Sequence, residues 1–280
     1  MNILITGAGG FIGTHLYNYL KKTNDITRIF SSTQPAGGQN TFSVDLMKRT
    51  MVESLIQDLS SARFDAVIHL ASKMASPDSI ENMSILKMNI NIIKNMVFLI
   101  TKLRPEVVIH FSSMAVYPNV SGLFSEDNLP MPQKNPDCIY GLSKFASEVL
   151  LDSLLRNKTM RIAHLRMAQV YGEGMRQDRI IPVMRKELEE KNTITVYGNG
   201  ERKSCFIEIK KLVETVDYFL KNKVDGVYNV GHENISYYDL AKIVLNQHGN
   251  EESTIVKLPQ GNKEKFNLDS SKLQEIMNTK

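Results

Sequence analysis

The 280-residue chain predicts an α/β protein built on a doubly wound parallel sheet, and three observations carry that prediction. Short apolar runs rich in β-branched residues recur at residues 2–6, 27–30, 66–70, 107–112, 161–166 and 227–230. The runs are almost uniformly hydrophobic, as in strands covered on both faces, whereas a half-solvated strand alternates apolar with polar residues. Amphipathic stretches separate them, so strand and helix take turns along the chain.

The first strand, 2–6, runs straight into Thr6-Gly7-Ala8-Gly9-Gly10-Phe11-Ile12-Gly13, and Phe11, Ile12, Leu16 and Leu20 continue at helical spacing. Gly7 permits a tight turn, Gly10 lets backbone approach a pyrophosphate with no Cβ in the way, and Gly13 lets the helix press on the strand. The helix N-terminus then offers N–H groups to an anion. The second strand, 27–30, would end in a carboxylate if it gripped the ribose of NAD. It ends instead in Ser31-Ser32-Thr33 with Arg28 nearby, which favours NADP over NAD, although an Arg28 turned to solvent fits the same letters.

Residues 85–103 form a helix that is apolar around most of its circumference. Ile85, Met88, Ile92, Met96, Leu99 and Leu103 make one stripe, with Ile90, Ile93, Val97 and Ile100 beside it. Either this is a wholly buried core helix, or its second stripe meets a symmetric partner. The strand 107–112 ends in Ser112 and Ser113, at the carboxyl edge where open parallel sheets bind ligands. Tyr140 and Lys144 follow, four residues apart and so on one face of a helix. A phenol that titrates near pH 10 serves as an acid–base group at neutral pH only beside a cation, and Lys144 is the candidate. Beyond about Val170 the rhythm loosens around Gly172, Gly174, Gly198 and Gly200, which suggests a smaller lobe before the return to the sheet at 227–230.

Composition narrows the classes further. With 42% hydrophobic and 23% charged residues the chain is globular and large enough to build its core without staples. Cys138 and Cys205 lie far apart without zinc-ligand spacing, so neither a disulfide framework nor a metal site is expected, and a reducing, cytoplasmic setting fits. The six histidines, His15, His69, His110, His164, His232 and His248, show no ligand spacing either and read as packing or surface residues. A net charge of +4, dispersed, carries no nucleic-acid footprint. The glycines at 7, 9 and 10 interrupt any secretory leader, and no run is expected to reach the roughly 18 apolar residues of a membrane span.

The glycine turn followed by Ser113, Tyr140 and Lys144 resembles the extended short-chain dehydrogenase/reductase family, in its nucleotide-sugar branch. Further landmarks are Asp45-Leu46, His69-Leu70-Ala71-Ser72, Asn89, Leu165-Arg166, Val170-Tyr171-Gly172, Ile181-Pro182, Tyr197-Gly198-Asn199-Gly200 and Tyr228-Asn229-Val230-Gly231. The resemblance implies a Rossmann-type domain at residues 1–168 plus 207–230, and a substrate lobe at 169–206 plus 231–280. It implies that Gly7, Gly10, Phe11, Ile12, Gly13, Ser31, Asp45, Leu46, Leu70, Ala71 and Ser72 line the dinucleotide, with Asn89 bracing the active-site backbone. It further implies that Lys144 holds the nicotinamide ribose and lowers the Tyr140 pKa, that Ser113 holds the C4 oxygen, and that Tyr140 moves the proton. The long helix and the Tyr140 helix, with Phe145, Val149 and Leu154, would form a four-helix homodimer interface.

Within that branch, 4,6-dehydratases carry an Asp-Glu pair after the catalytic hydroxyl, and here Met114 and Ala115 stand there. Hydride chemistry at C4 remains, as a 4-keto-6-deoxysugar reductase using NADPH or NADH, or as a 4-epimerase retaining NAD. Ser31 favours the reductase. In the second lobe Gln169 replaces the usual asparagine and Ser204-Cys205 an Arg-Asp pair, so Arg202 or Lys203 makes the pyrophosphate contact or else sits on a solvated hairpin. The resemblance places Met114 and Ile180 in the substrate site, Arg179 at the diphosphate, and Val196 or Tyr197 at the base. A non-catalytic dinucleotide-binding sensor is the reading from another class, and retention of Ser113, Tyr140 and Lys144 weighs against it.

Overall fold

A computed structural model describes residues 1–33, 37–74, 82–155 and 159–278. The first half alternates strand and helix: β1 (Asn2–Thr6), α1 (Phe11–Leu20), β2 (Asp25–Phe30), β3 (Thr41–Ser43), α2 (Arg49–Asp58), β4 (Ala66–His69), α3 (Met83–Leu103) and β5 (Val107–Phe111). Then come β6 (Gly122–Phe124), α4 (Cys138–Leu155), β7 (Arg161–Met167), β8 (Gln169–Tyr171), α5 (Ile180–Lys191), β9 (Thr193–Val196), β10 (Lys203–Glu208) and α6 (Ile209–Asn222). The chain closes with β11 (Gly226–Val230), β12 (Glu233–Ser236), α7 (Tyr237–His248), β13 (Thr254–Lys257), β14 (Phe266–Leu268) and α8 (Ser271–Asn278).

Seven strands form the main sheet in the order β11-β7-β5-β4-β1-β2-β3, every neighbouring pair parallel. The expected doubly wound sheet is therefore present. Alternate residues of one strand serve opposite faces, which is why the runs read as uniformly apolar. Ile3 and Ile5 meet Leu16 and Leu20 of α1 and Leu212, Val216 and Phe219 of α6. Leu4 meets the other layer, with Val52 of α2, Met96 and Leu99 of α3 and Leu151 of α4. Several strand limits differ from the sequence reading by one or two residues, β2 starting at Asp25 and β7 ending at Met167 among them. The short edge strand β3 sits among half-buried residues that give no apolar run, and β5 stops at Phe111, so Ser112 and Ser113 stand just beyond the sheet.

The chain changes direction across the sheet between β1 and β4, building β2 and β3 to one side and β5, β7 and β11 to the other. Such a switch point opens a crevice at the carboxyl ends of the strands. A second, smaller cluster of Met184, Leu188, Ile194, Val196, Phe206, Leu240 and Val244 ties α5, α7, β9 and β10 together beside that edge.

α3 corrects two expectations. It has 21 residues with a mean hydropathy of 1.3, long and apolar enough to cross a membrane by length and composition, although 39% of that stretch is buried inside the fold. It is also not wholly buried. Ile85, Asn89, Ile93, Met96, Leu99 and Ile100 face inward, whereas Met88, Ile90, Ile92, Val97 and Leu103 remain half-buried.

Candidate active site

A cleft of about 1180 Å³ runs along the carboxyl ends of the central strands, from the glycine turn to the smaller lobe. At the turn Gly7 adopts φ 71°, a region closed to most side chains, and a Cβ on Gly13 would lie 2.4 Å from the Gly7 carbonyl oxygen. At Gly10 a built Cβ would meet only that same oxygen, at an ordinary contact distance of 3.4 Å. Gly10 caps α1 without any side-chain hydrogen bond, so the first N–H groups of the helix face the cleft uncapped by a side chain. This cradle fits a dinucleotide pyrophosphate, and the residues expected to line the rest of that ligand surround it: Phe11, Ile12, Gly13, Ser31, Asp45, Leu46, Leu70, Ala71 and Ser72 all face the cleft.

Ser31 pairs with the Thr33 hydroxyl at 3.0 Å, and Ser32 and Thr33 line the same end. Arg28 does not line the cleft. Its guanidinium stacks 4.0 Å from the Tyr17 ring centroid and donates to the Gly37 carbonyl. Asn89 lies behind the wall, where its amide accepts from Lys73 N at 2.7 Å and donates to Lys73 O and Ser143 Oγ, each at 2.9 Å.

Helix α4 presents Tyr140 and Lys144 to the cleft one turn apart, and Ser113 and Met114 line the wall beside them. Ser113 caps a 3-10 turn over Met114–Val116, its Oγ accepting from Ala115 N at 3.1 Å. Lys144 is buried, donates to the Phe111 carbonyl at 2.8 Å and lies 5.6 Å from the Tyr140 ring centroid. The expected electrostatics is corrected here. Burial pushes the Tyr140 phenol up to about 12, Asp137 adds to the rise, and a hydrogen bond with Ser72 and the charge of Arg179 oppose it. Burial also drives the Lys144 pKa down to about 8 against the pull of Glu148.

Beneath the pair lies a buried polar layer. Glu148 accepts from Ser112 Oγ and from Arg166 at 2.9 and 3.2 Å, and Arg166 donates to the Tyr117 hydroxyl at 2.7 Å. His69, His110 and His164 align in register across β4, β5 and β7. His69 pairs with Thr6 at 2.8 Å, His110 with His164 at 3.0 Å, and His164 with Asp152 at 3.0 Å, while burial holds the His69 imidazole down at about 3.

On the smaller lobe Gln169, Arg179, Ile180 and Arg202 reach the cleft; Gln169 donates to Ser204 Oγ at 2.8 Å and Arg202 stacks on Tyr237. Val196 and Tyr197 do not. Val196 is 2% exposed in the lobe's core and Tyr197 is 59% exposed away from the cleft, because the alternation of β9 turns one inward and the chain leaves the strand at the other. The structure adds Lys73, Asn119, Asn135, Asp137, Arg176 and Tyr237 to the lining. Asp137 precedes Tyr140 by less than one turn, a proximity visible in the sequence; Asn119 and Asn135 come from an aperiodic segment that gives no such signal.

Comparison with known proteins agrees with this geometry. A family model described as "NAD dependent epimerase/dehydratase family" matches residues 3–231. The chain is 27% identical over 272 residues to a dTDP-D-glucose 4,6-dehydratase of Dictyostelium discoideum, covering 87% of this chain and 61% of that one, so it spans about three fifths of that relative's length. It is 25% identical over 244 residues to a dTDP-4-dehydro-6-deoxyglucose reductase of Escherichia coli, covering 82% of this chain and 76% of the reductase. Among solved structures, a UDP-N-acetylglucosamine 4-epimerase from Bacillus cereus superposes with a TM-score of 0.82 at 26% identity, over 99% of this chain and 90% of that one.

Proposed function

The chain belongs to the NAD-dependent epimerase/dehydratase family, and on that premise we propose that it is an NAD(P)-dependent oxidoreductase acting at C4 of a nucleotide-activated sugar, as a nucleotide 4-keto-6-deoxysugar reductase. Ser31, where an NAD-retaining enzyme would set a carboxylate, carries the reductase reading over the epimerase. The pair behind Ser113 weighs against dehydration, because Met114 in the cleft wall and buried Ala115 carry no titratable proton. Elimination of water needs both an acid and a base beyond the tyrosine. Asp45 and Asp137 are the carboxylates among the described cleft residues, the first at the far end beside Leu46, so Asp137 stands alone near Tyr140.

A bound nicotinamide dinucleotide supplies the hydride. The chain's own residues do the rest. The glycine turn and the α1 N-terminus hold the pyrophosphate, Asp45 and Leu46 flank the adenine, and Leu70, Ala71 and Ser72 wall the groove. Ser31, Ser32 and Thr33 offer hydroxyls and no carboxylate to the adenosine ribose, which favours NADPH. Lys144 takes the nicotinamide ribose, Ser113 orients the C4 oxygen, and Tyr140 gives that oxygen its proton during reduction. Gln169, Arg179, Ile180 and Arg202 receive the sugar diphosphate, and Val196 and Tyr197 have no part in it. The dinucleotide half is residues 1–168 plus 207–230, the substrate half 169–206 plus 231–280. Two chains associate through α3 and α4, and a cytoplasmic setting suits Cys138 and Cys205 as free thiols.

The test is nicotinamide absorbance with a panel of nucleotide 4-keto-6-deoxysugars, offering NADPH and NADH separately. Stoichiometric oxidation is expected, with NADPH preferred. The similarity to the Bacillus cereus 4-epimerase favours a second reading. It replaces the first if no coenzyme is consumed, denatured protein releases NAD, and a nucleotide-hexose is converted to its C4 epimer.

A further inference from the structure

We propose that Asp137, at the start of α4, is a specificity-determining residue whose carboxylate receives the 3-hydroxyl of the sugar, the hydroxyl group beside the reacting carbon. The inference rests on the reading above, in which the reacting carbon is C4 of a 4-keto-6-deoxysugar. Asp137 lines the cleft and precedes Tyr140 by three residues, the spacing that puts side chains on one side of a helix. Its backbone is held at both ends. The N–H donates to Asn135 Oδ1 at 3.0 Å, and the carbonyl accepts from Gly141 N at 2.8 Å, the first bond of α4. An aspartate at that position ordinarily turns its carboxylate onto the next helical N–H groups as a cap. Here the carboxylate accepts no hydrogen bond and makes no ion pair among the described residues, and Asp137 is exposed at the cleft wall. That wall is braced on the turn that carries Ser113. Asn119 N donates to the Lys134 carbonyl and Asn135 Nδ2 to the Tyr117 carbonyl, each at 3.1 Å, so 117–119 and 134–137 run as one strip. Gly141 lies against the same turn, where a Cβ would come within 2.1 Å of the Ala115 carbonyl oxygen. Ser113, Tyr140 and Asp137 are thus fixed relative to one another through backbone contacts, and the Asp137 carboxylate is left to face the cleft.

With Ser113 and Tyr140 on the C4 oxygen, the chemistry of the sugar narrows what Asp137 can take. Of the two carbons flanking C4, C3 bears a hydroxyl, while C5 bears a methyl group and the ring oxygen. An ionised carboxylate only accepts, so of these neighbours the 3-hydroxyl is its partner. The bond is charge-assisted, and a site that loses such a donor discriminates against the sugar lacking it. The experiment compares kcat/KM for a nucleotide 4-keto-6-deoxyhexose and its 3-deoxy counterpart, by nicotinamide absorbance, in wild type, Asp137→Asn and Asp137→Ala. Wild type should prefer the 3-hydroxy sugar by about tenfold or more. Asp137→Ala should bring the two sugars within about twofold of each other, and Asp137→Asn, which keeps a neutral acceptor, should fall between. Damage to the fold or to the catalytic geometry lowers both rates alike and leaves their ratio unmoved. An alanine variant that keeps the wild-type ratio therefore overturns the proposal, as does a wild type indifferent to the 3-hydroxyl. Turnover of neither sugar by wild type overturns instead the reductase reading, and the assignment of Asp137 falls with it.

Discussion

Tyr140 and Lys144 illustrate how one turn of helix sets two titrations against each other. The phenol sits near 12 and the ammonium near 8 because both have lost water, so the lysine releases its proton far more readily than the tyrosine. The cost of burying that ammonium is felt below pH 8, where folded and unfolded chains are both protonated. Between pH 8 and 10 the folded chain sheds this proton while the unfolded chain keeps it, so stability rises with pH. Wild type should gain about 2–3 kcal/mol over that window relative to Lys144→Met, measured by denaturant unfolding at each pH. The raised phenol acts above pH 10, in the opposite sense, and stays out of the window. Tyr140→Phe should keep dinucleotide binding by calorimetry and lose turnover by about a hundred- to ten-thousand-fold. A variant with unchanged turnover would remove Tyr140 from the proton-transfer step. Ser31→Asp should raise the NADPH KM at least tenfold by setting a carboxylate against the 2′-phosphate, and an unmoved coenzyme preference would place that recognition elsewhere.

Helix α4 works as an element because its polar residues share one inward stripe: Lys144, Glu148 and Asp152 at successive turns, facing Ser112, His164 and Arg166 from the strands below. Glu148 and Arg166 are each under 5% exposed, so neither charge can reach water if the other is lost. Glu148→Gln should therefore destabilise the protein by about 3–5 kcal/mol, and Glu148→Leu with Arg166→Met should recover most of it, by urea midpoint. A double variant as weak as the single one would show that packing, not the stranded guanidinium, sets the cost. Much of this level was legible beforehand. The strand–helix order follows from uniformly apolar runs, and Tyr140 with Lys144 follows from a spacing that can only mean one helix face. The polar layer was not, because His69, His110 and His164 lie more than forty residues apart and meet only through sheet register. Val196 and Tyr197 lie outside the cleft lining, Val196 turned into the lobe's core at the end of β9 and Tyr197 just beyond that strand, and the family pattern gives only their order along the chain.

At the scale of the whole molecule, α3 and α4 raise a question that the single chain leaves open. They pack side by side on one face of the sheet, and apolar side chains remain on their outward surfaces alongside the exposed Lys87, Lys94 and Lys102 of α3. Leu142 and Val149 of α4 are 41% and 46% exposed two turns apart, and Leu86, Ile90 and Val97 of α3 are half-buried. An apolar helix face left in water is an unfavourable surface, and a helix of this hydropathy could answer it by entering lipid. Asn89 and Asn95 argue against that for α3, because both are buried with their hydrogen bonds spent inside the fold, Asn95 on the Leu46 carbonyl at 2.8 Å. A second copy related by a two-fold axis would cover the face without disturbing those bonds. Light scattering on the wild-type protein should then read twice the 31.7 kDa chain mass, without detergent. Val149→Asp, which places a charge on the exposed side of α4 outside the cleft lining, should read the single-chain mass and retain dinucleotide binding. Wild type at the single-chain mass would leave the stripe unexplained by association, and recovery of the protein only from membranes would hand it to lipid.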